Sequence, residues 1–323
     1  MPAAPNKKLI ALSGGGGGAK LVDGLAEVLP PERLLIVANS GDDFTHLGLR
    51  ICPDLDALMY TLAGRVNPET LWGLAGETWQ FMATLGELGG PTWFRLGDRD
   101  LATHVIRTQA LAAGQTLTAV ARDLCERLGV RHPIVPMSDS PVATRVSTNE
   151  GDLAFQEYFV RRQCQPEVRA IHFDGAATAP ANPQLLDALH DPDLGGIVLC
   201  PSNPWLSIDP ILAVDGLRAA LLAARVPIVA VTPLIGGAAI KGPTAKIMQE
   251  LGIRQSAPSI ALHYRDFIYG FVLDAADAAL APGIAATGIE VLTTATLMTD
   301  RASKLRLAHA VVTFIERFGG LVP

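Results

Sequence analysis

Short apolar runs alternate along the chain with longer stretches whose apolar positions recur every three or four residues. The runs Leu9–Leu12, Leu34–Ala38, Ile197–Leu199, Ile228–Val231, Phe271–Leu273 and Val291–Thr294 are predicted strands. The stretches Ala19–Val28, Leu55–Leu62, Leu101–Ala113, Leu117–Leu128, Leu217–Ala224 and Lys304–Arg317 are predicted helices. Strands that are apolar on both faces and separated by helices argue for an α/β fold, a parallel sheet covered by helices on both sides. A mainly helical middle stretch, 63–132, carries Trp72, Trp79 and Trp93 and follows the second strand, where it is expected to cap the ligand edge of the sheet. Further β-like segments are expected at Leu153–Val160 and Val168–Phe173. No repeat or low-complexity segment interrupts the pattern, and the 323 residues are read as one domain, 1–323, with that cap as a subdomain.

Composition narrows the classes. With 26 Lys+Arg against 32 Asp+Glu, the formal charge of −6 disfavours a nucleic-acid surface. At 18% charged and 49% hydrophobic residues the chain is too apolar to be disordered. The mean hydropathy of +0.29 raises the question of a membrane. The longest apolar stretch, Val226 to Ile240, is broken by Pro227, Thr232, Pro233 and the Gly236-Gly237 pair, so it reads as a buried strand entering a loop. The run Leu9–Leu12 behind Lys7-Lys8 is too short for a secretory core. Cys52, Cys125, Cys164 and Cys200 are widely spaced and suit reduced thiols, and the expected location is the cytoplasm.

Three segments point to chemistry. Ser13 is followed by five glycines, Gly14 to Gly18, then Ala19-Lys20, directly after a strand and before a helix. Such a turn aims main-chain N–H groups and a helix N-terminus at an anion, although the Walker pattern is not met. After the second strand comes Asn39-Ser40-Gly41-Asp42-Asp43-Phe44, then Cys52-Pro53-Asp54-Leu55-Asp56. Carboxylates beside a phosphate turn suit Mg²⁺, which takes one or two of them and completes its shell with phosphate and water. A structural role also fits: Asp54 as a helix cap, Asp42-Asp43 as a tight turn. The third segment runs from Arg95 through Gly97-Asp98-Arg99-Asp100 to Arg107. Helical spacing puts Asp100, Thr103, His104 and Arg107 on one face and Leu101, Ala102, Val105 and Ile106 on another. That polar face either meets a ligand or is an exposed ion-paired surface.

Weaker signals are the loop around Met137-Ser138-Asp139 and Thr144, the turn Pro201-Ser202-Asn203-Pro204, and Thr232 to Gly237 with Lys241 and Lys246 behind it. The tryptophans and Phe94 are read as cap core or as stacking partners for a planar ligand. His46, His132, His172, His190, His263 and His309 lack metal-ligand spacing. These residues together imply a nucleotide or diphosphate ligand with Mg²⁺ assistance, and name no reaction.

The ordered blocks GGGGGAKLVDGL (14–25), NSGDDFTHLGLRICPDLDALMYTLAG (39–64), RLGDRDLATHVIRT (95–108), PMSDSPVAT (136–144), FQEYFVRRQCQP (155–166), PSNPWLSIDPIL (201–212), the run from Thr232 to Lys246, and Leu297-Met298-Thr299-Asp300 resemble the 2-phospho-L-lactate transferase family of coenzyme F420 biosynthesis. The resemblance implies a Rossmann-like, mostly parallel sheet with an inserted helical cap, a Mg²⁺ cofactor and a homodimer. It also implies a reaction in which a GMP-activated phospho-acid gives its phospho-acid part to the ribityl hydroxyl of the deazaflavin Fo and releases GMP. The metal is expected at Asp42 and Asp43, with Asp54 as a third candidate. Asp56 and Arg95 fall on the family's Fo contacts, and His104 is expected beside them. Asp56 either orients the acceptor hydroxyl or acts as its base, and Asp43, Asp56 and Arg99 form the expected catalytic set. Gly14, Gly15, Gly16, Gly17, Gly18, Lys20, Asn39, Ser202 and Asn203 are expected around the guanosine diphosphate part. One departure is Gly16, where relatives commonly carry Thr.

Two other classes compete. A non-catalytic nucleotide-sugar-binding regulator of the gluconeogenesis-factor type shares the fold and a similar opening loop, but the pair Asp56 and Arg95 with the helix after Asp98 favours the enzyme. A nicotinamide oxidoreductase lacks the acidic residue expected about twenty positions after the glycines, where Asn39 and Ser40 stand.

Overall fold

The computed structural model describes residues 7–240 and 242–319; Lys241, singled out above, lies outside them. Seven strands form one sheet: β1 (Lys8–Ser13), β2 (Leu34–Ala38), β3 (Ile134–Pro136), β4 (Leu194–Leu199), β5 (Ile228–Val231), β6 (Gly270–Asp274) and β7 (Glu290–Thr294). Their order is β7-β6-β5-β4-β1-β2-β3, and every neighbouring pair is parallel. Side chains alternate across this sheet: Leu9 and Ala11 of β1 enter one core, Ile10 and Leu12 the other. Each fully buried Leu or Ile contributes on the order of 1.5–3 kcal/mol, so both faces must be covered by helices. This is the expected Rossmann-like architecture.

The chain leaves β1 toward β2 on one side, while β4 pairs with β1 on the other. That reversal opens a crevice at the carboxyl ends of β1 and β4, where doubly wound sheets collect their ligands.

All six predicted strands and all six predicted helices occur: Leu34–Ala38, Ile228–Val231 and Leu117–Leu128 have the predicted ends, and the others are shifted. The first helix, α1 (Gly15–Val28), starts at Gly15 instead of Ala19. The segment Leu153–Val160 is not one strand: Gly151–Ala154 pairs with Ala143–Thr148, and the chain then turns through a π-helical stretch at Glu157–Arg161. Ala143–Thr148 is also paired with Val168–Asp174, making a small antiparallel sheet beside the crevice. β3 and Ala143–Thr148 went unpredicted.

Four further helices follow β2: α2 (Pro53–Leu62), α3 (Gln80–Glu87), α4 (Asp100–Ala112) and α5 (Leu117–Leu128). Leu117, Val120, Ala121, Leu124 and Cys125 of α5 join the same core as Leu9 and Ile36, so the end of the stretch 63–132 packs on the sheet itself. The preceding part has a separate small core of Ile51, Met82 and Leu96, with Phe44, Trp79 and Phe94 against it. Phe44 and Ile51 pair across a hairpin, Phe44–His46 with Leu49–Ile51, that carries the chain from β2 to α2. Among the described residues no helix is long and apolar enough to cross a membrane. All four cysteines are free thiols.

Candidate active site

β1 ends in Ser13, and the chain turns into α1 through Gly14 and Gly15, the latter at φ +65, where glycine carries no steric penalty. Ser202, in the turn after β4, locks this bend: its hydroxyl donates to the Gly14 carbonyl at 2.8 Å and accepts from the Gly14 amide at 3.2 Å. The Gly15 amide donates to Asp54 Oδ1 at 2.7 Å. A Cβ at Gly17 would lie 2.5 Å from the Pro201 carbonyl oxygen, and one at Gly18 2.6 Å from Ser202 Oγ. Close packing of β1, α1 and the turn after β4 therefore requires glycine at both. At Gly16 a Cβ would meet only the Leu71 side chain, at 3.0 Å. The Lys20 ammonium reaches the Met298 carbonyl at 3.0 Å. Asn203 caps the turn that follows it, accepting from the Trp205 and Leu206 amides and donating to Thr244 Oγ1.

The acidic turn after β2 stands beside this bend. Asn39 Nδ2 donates to Asp54 Oδ2 at 2.9 Å and to the Leu206 carbonyl, while its Oδ1 accepts from the Gly41 amide at 2.8 Å. Asp42, Asp43, Asp54 and Asp56 are all buried. Asp43 faces Arg50 at 3.3 Å. Asp42 Oδ1 and Asp43 Oδ1 have no protein partner, nor do the hydroxyls of Ser13, Ser40 and Thr144. Orphaned buried oxygens are costly unless a ligand, ion or water meets them. Burial pushes the Asp42 carboxyl well above the ordinary range, with the nearby charge of Asp54 adding to it. Burial likewise raises Asp43 to about 7, against the pull of Arg50.

Two distant residues hold this turn, of which sequence reasoning flagged Thr144 as a weak signal and missed Gln156. The Thr144 amide donates to the Gly41 carbonyl at 2.8 Å, and Gln156 Nε2 donates to the Asp42 carbonyl at 3.2 Å. Nothing local around Gln156 points at a turn more than a hundred residues earlier.

α4 is inverted. Asp100, Thr103, His104 and Arg107 face inward and are buried, while Val105 and Ile106 are 39% and 48% exposed. Arg107 spans both oxygens of Asp56, one contact at 3.0 Å. His104 Nε2 lies 3.3 Å from Asp100 Oδ2, and the Tyr60 hydroxyl donates to Asp100 Oδ1 at 2.5 Å. Burial raises the Asp56 carboxyl, with Arg107 and His104 pulling against it. Burial also works against ionisation of Asp100, yet His104, Tyr60 and Arg107 together hold it below the usual carboxylate range.

The neighbouring acids cap helices. Asp98 accepts from the Gln80 and Phe81 amides at the start of α3, each at 3.0 Å. Glu77 accepts from the Arg99 and Asp100 amides at the start of α4, at 2.7 and 2.8 Å. Each helix is thus capped by the segment leading to the other. Arg99 is exposed and donates to the Ala75 carbonyl at 2.6 Å. Arg95 lies 4.0 Å over the Trp79 ring, next to the ring cluster of Phe44, His46, Trp93 and Phe94.

Two places have the donors for a cation. Asp42 and Asp43 each offer one unpartnered carboxylate oxygen, the donor chemistry of Mg²⁺, with the Cys52 thiol and Arg50 beside Asp43. Both oxygens of Asp54 are already engaged, by Gly15 and Asn39. Among the described residues, Asp56, Asp100 and His104 are the one trio of metal-capable side chains whose ligand atoms all lie within 4.8 Å of one another. There the Arg107 guanidinium already supplies the positive charge.

Comparison with known proteins identifies the family and the fold. The family model for "2-phospho-L-lactate transferase CofD" matches residues 9–285. A phosphoenolpyruvate transferase of Kitasatospora aureofaciens is 41% identical over 317 residues, covering 96% of this chain and 98% of that protein. A 2-phospho-L-lactate transferase of Methanosarcina mazei is 37% identical over 304 residues, covering 94% of this chain and 99% of that protein. Among solved structures, a member of the UPF0052 family from Bacillus halodurans superposes with a TM-score of 0.60 at 12% identity, covering 95% of this chain and 98% of that one, a likeness of fold.

Proposed function

Because the chain belongs to the 2-phospho-L-lactate transferase family, we propose that it moves a phospho-organic-acid group from a GMP-activated diphosphate to the terminal ribityl hydroxyl of Fo, in coenzyme F420 biosynthesis. The hydroxyl oxygen bonds to the phosphorus of the phospho-acid. The P–O bond to GMP breaks, GMP leaves with the electron pair, and the hydroxyl proton is released. The observation that carries this reading is the set of orphaned oxygens between the glycine turn and Asp42-Asp43. They stand together near the switch point of the sheet, where a diphosphate and its counter-ion would meet them.

Phosphoryl transfer asks for positioning and charge neutralisation more than for covalent help. In this reading the amides beyond Gly15 and the α1 terminus meet the diphosphate, the Gly14 and Gly15 amides being engaged by Ser202 and Asp54, which fix the bend. Asp42 and Asp43 would hold Mg²⁺, which when bound neutralises charge on the diphosphate. Asn39 and Thr144 keep those aspartates in place by fixing Gly41. Asp56 orients the acceptor hydroxyl, and Arg95 with the neighbouring rings offers a planar surface to the tricycle. The donor acids named by relatives, 2-phospholactate and phosphoenolpyruvate, share a carboxylate beside a phosphate ester, so the same site suits both. The family reading also implies a homodimer.

The test is direct. Purified protein with Mg²⁺, Fo and the GMP-activated form of 2-phospholactate, phosphoenolpyruvate or 3-phosphoglycerate should yield GMP and a phosphorylated deazaflavin by mass spectrometry. No product with any of the three donors overturns the assignment.

A further inference from the structure

Arg107 has had no part in the transfer described so far, yet it is 0% exposed, the most deeply buried charge of the site. An isolated guanidinium is expensive to bury, and this one is held by anions and acceptors on its terminal nitrogens, while its Nε has no protein partner. Its two terminal nitrogens span both oxygens of Asp56. One of them also donates to His104 Nδ1 at 3.3 Å and to the Arg50 carbonyl at 3.4 Å. Because Arg107 can only donate, His104 Nδ1 is the accepting nitrogen of that contact. His104 Nε2 stands 3.3 Å from Asp100 Oδ2 without completing a hydrogen bond, and the Tyr60 hydroxyl donates to the other Asp100 oxygen.

Asp56, Asp100 and His104 form a donor set that would take a divalent ion. A planar guanidinium stands among these donors, and the difference is geometric. A bidentate fork fixes the plane of a carboxylate, which a spherical ion or a lysine ammonium does not. Each Asp56 oxygen keeps a second lone pair, so a carboxylate held this way still accepts a hydrogen bond from a ligand.

We propose that Arg107 is a positioning residue for the acceptor: its guanidinium locks the plane of the Asp56 carboxylate so that Asp56 can receive the acceptor hydroxyl in one orientation. The proposal rests on the assignment of Asp56 to Fo made above. His104 and Asp100 act behind Arg107, holding the guanidinium against the edge of Asp56.

The variants Arg107→Lys and Arg107→Ala test this. Lysine keeps the charge but cannot bridge both oxygens, so KM for Fo should rise about tenfold or more while KM for the donor stays within about twofold. Fo affinity, followed by the optical change of the deazaflavin on titration, should fall in parallel. In Arg107→Ala, free guanidinium ion in the assay should restore part of the Fo affinity, and methylammonium should not. Should the alanine variant fail to fold, the lysine variant decides alone. An unchanged KM for Fo in Arg107→Lys overturns the proposal, and so does an equal rise in both KM values with a lowered Tm, which marks a purely structural role. Wild-type protein that binds Fo but transfers nothing would instead defeat the reaction assignment, and the binding arm would still test Arg107. Wild-type protein that does not bind Fo defeats both.

Discussion

The Asp54 carboxylate accepts from the Gly15 amide at 2.7 Å, joining the start of α2 to the start of α1. One oxygen of an aspartate thus sits where a helix N-terminus presents its first free amide, the position an anion favours. The other oxygen is taken by Asn39 at 2.9 Å. Asp54 therefore ties the glycine turn to the acidic turn, with both of its oxygens engaged. The expected cap of the helix near Leu55 does not occur: Asp54 lies inside α2, whose N-cap Cys52 makes no side-chain cap bond, and the helix start it serves is that of α1.

Asp43→Asn removes a charge beside the diphosphate while keeping the side chain's shape. Turnover should fall by about 10²-fold or more, with KM for Fo changed far less, since the interaction is made with the transferring group. Steady-state kinetics with Fo varied at saturating donor checks this. Equal losses in kcat and in Fo affinity would count against a metal role.

The raised carboxyls set a pH dependence. A folded-state pKa above the unfolded value means that the folded protein without a cation holds the extra protons, so its stability falls as pH rises from about 4. Asp43, raised to about 7, places its share of this loss between ordinary carboxylate titration and neutrality, and Asp42, pushed well above the ordinary range by burial, adds to it. Cation binding needs both groups deprotonated. The increase in Tm on adding Mg²⁺ should therefore be small near pH 5.5 and large near pH 8, where saturation at about 100 Kd contributes about 2.7 kcal/mol. The increase should vanish in Asp42→Asn/Asp43→Asn. Scanning fluorimetry across pH measures it.

The glycines are not equivalent. Gly18→Ala forces a methyl group against Ser13 and Ser202, and Gly17→Ala against a main-chain carbonyl. Each should cost about 1–3 kcal/mol in urea unfolding and lower donor affinity. At Gly16 a Cβ meets only Leu71, at 3.0 Å from its Cβ and Cδ1, so Gly16→Ala should cost less stability than Gly17→Ala or Gly18→Ala in the same urea unfolding.

Much of this was legible in the sequence, for identifiable reasons. The six predicted strands are apolar on both faces, a pattern that local turns cannot mimic. β3 was lost because its three residues end in Pro136, and Ala143–Thr148 because its alternation is carried by small and polar side chains. The α1 start was misplaced because glycine's low helix propensity argues against a first turn that tertiary packing nevertheless imposes. In α4 the spacing separated the two faces correctly, but only the fold shows that the charged face is the buried one. The partnership of Arg107 with Asp56 spans 51 residues and has no local signature.

The exchanged caps offer a test of the helical cap. Asp98→Ala frees the amides of Gln80 and Phe81, and Glu77→Ala those of Arg99 and Asp100. Each change should cost about 1 kcal/mol of local stability. Hydrogen exchange should quicken across 77–100 in both variants, with the strands of the sheet unaffected. The helix after Asp100 carries the Asp56 clamp, so KM for Fo should rise in Glu77→Ala.

The central claim is that a diphosphate and its cation meet between the glycine turn and the Asp42-Asp43 turn. Crystals grown with Mn²⁺ and GDP measure it most directly, through the anomalous signal of the ion. The account predicts one peak against Asp42 and Asp43, with the diphosphate over Gly14 to Gly18. A peak among Asp56, Asp100 and His104, or a diphosphate bound away from the ends of β1 and β2, would contradict it.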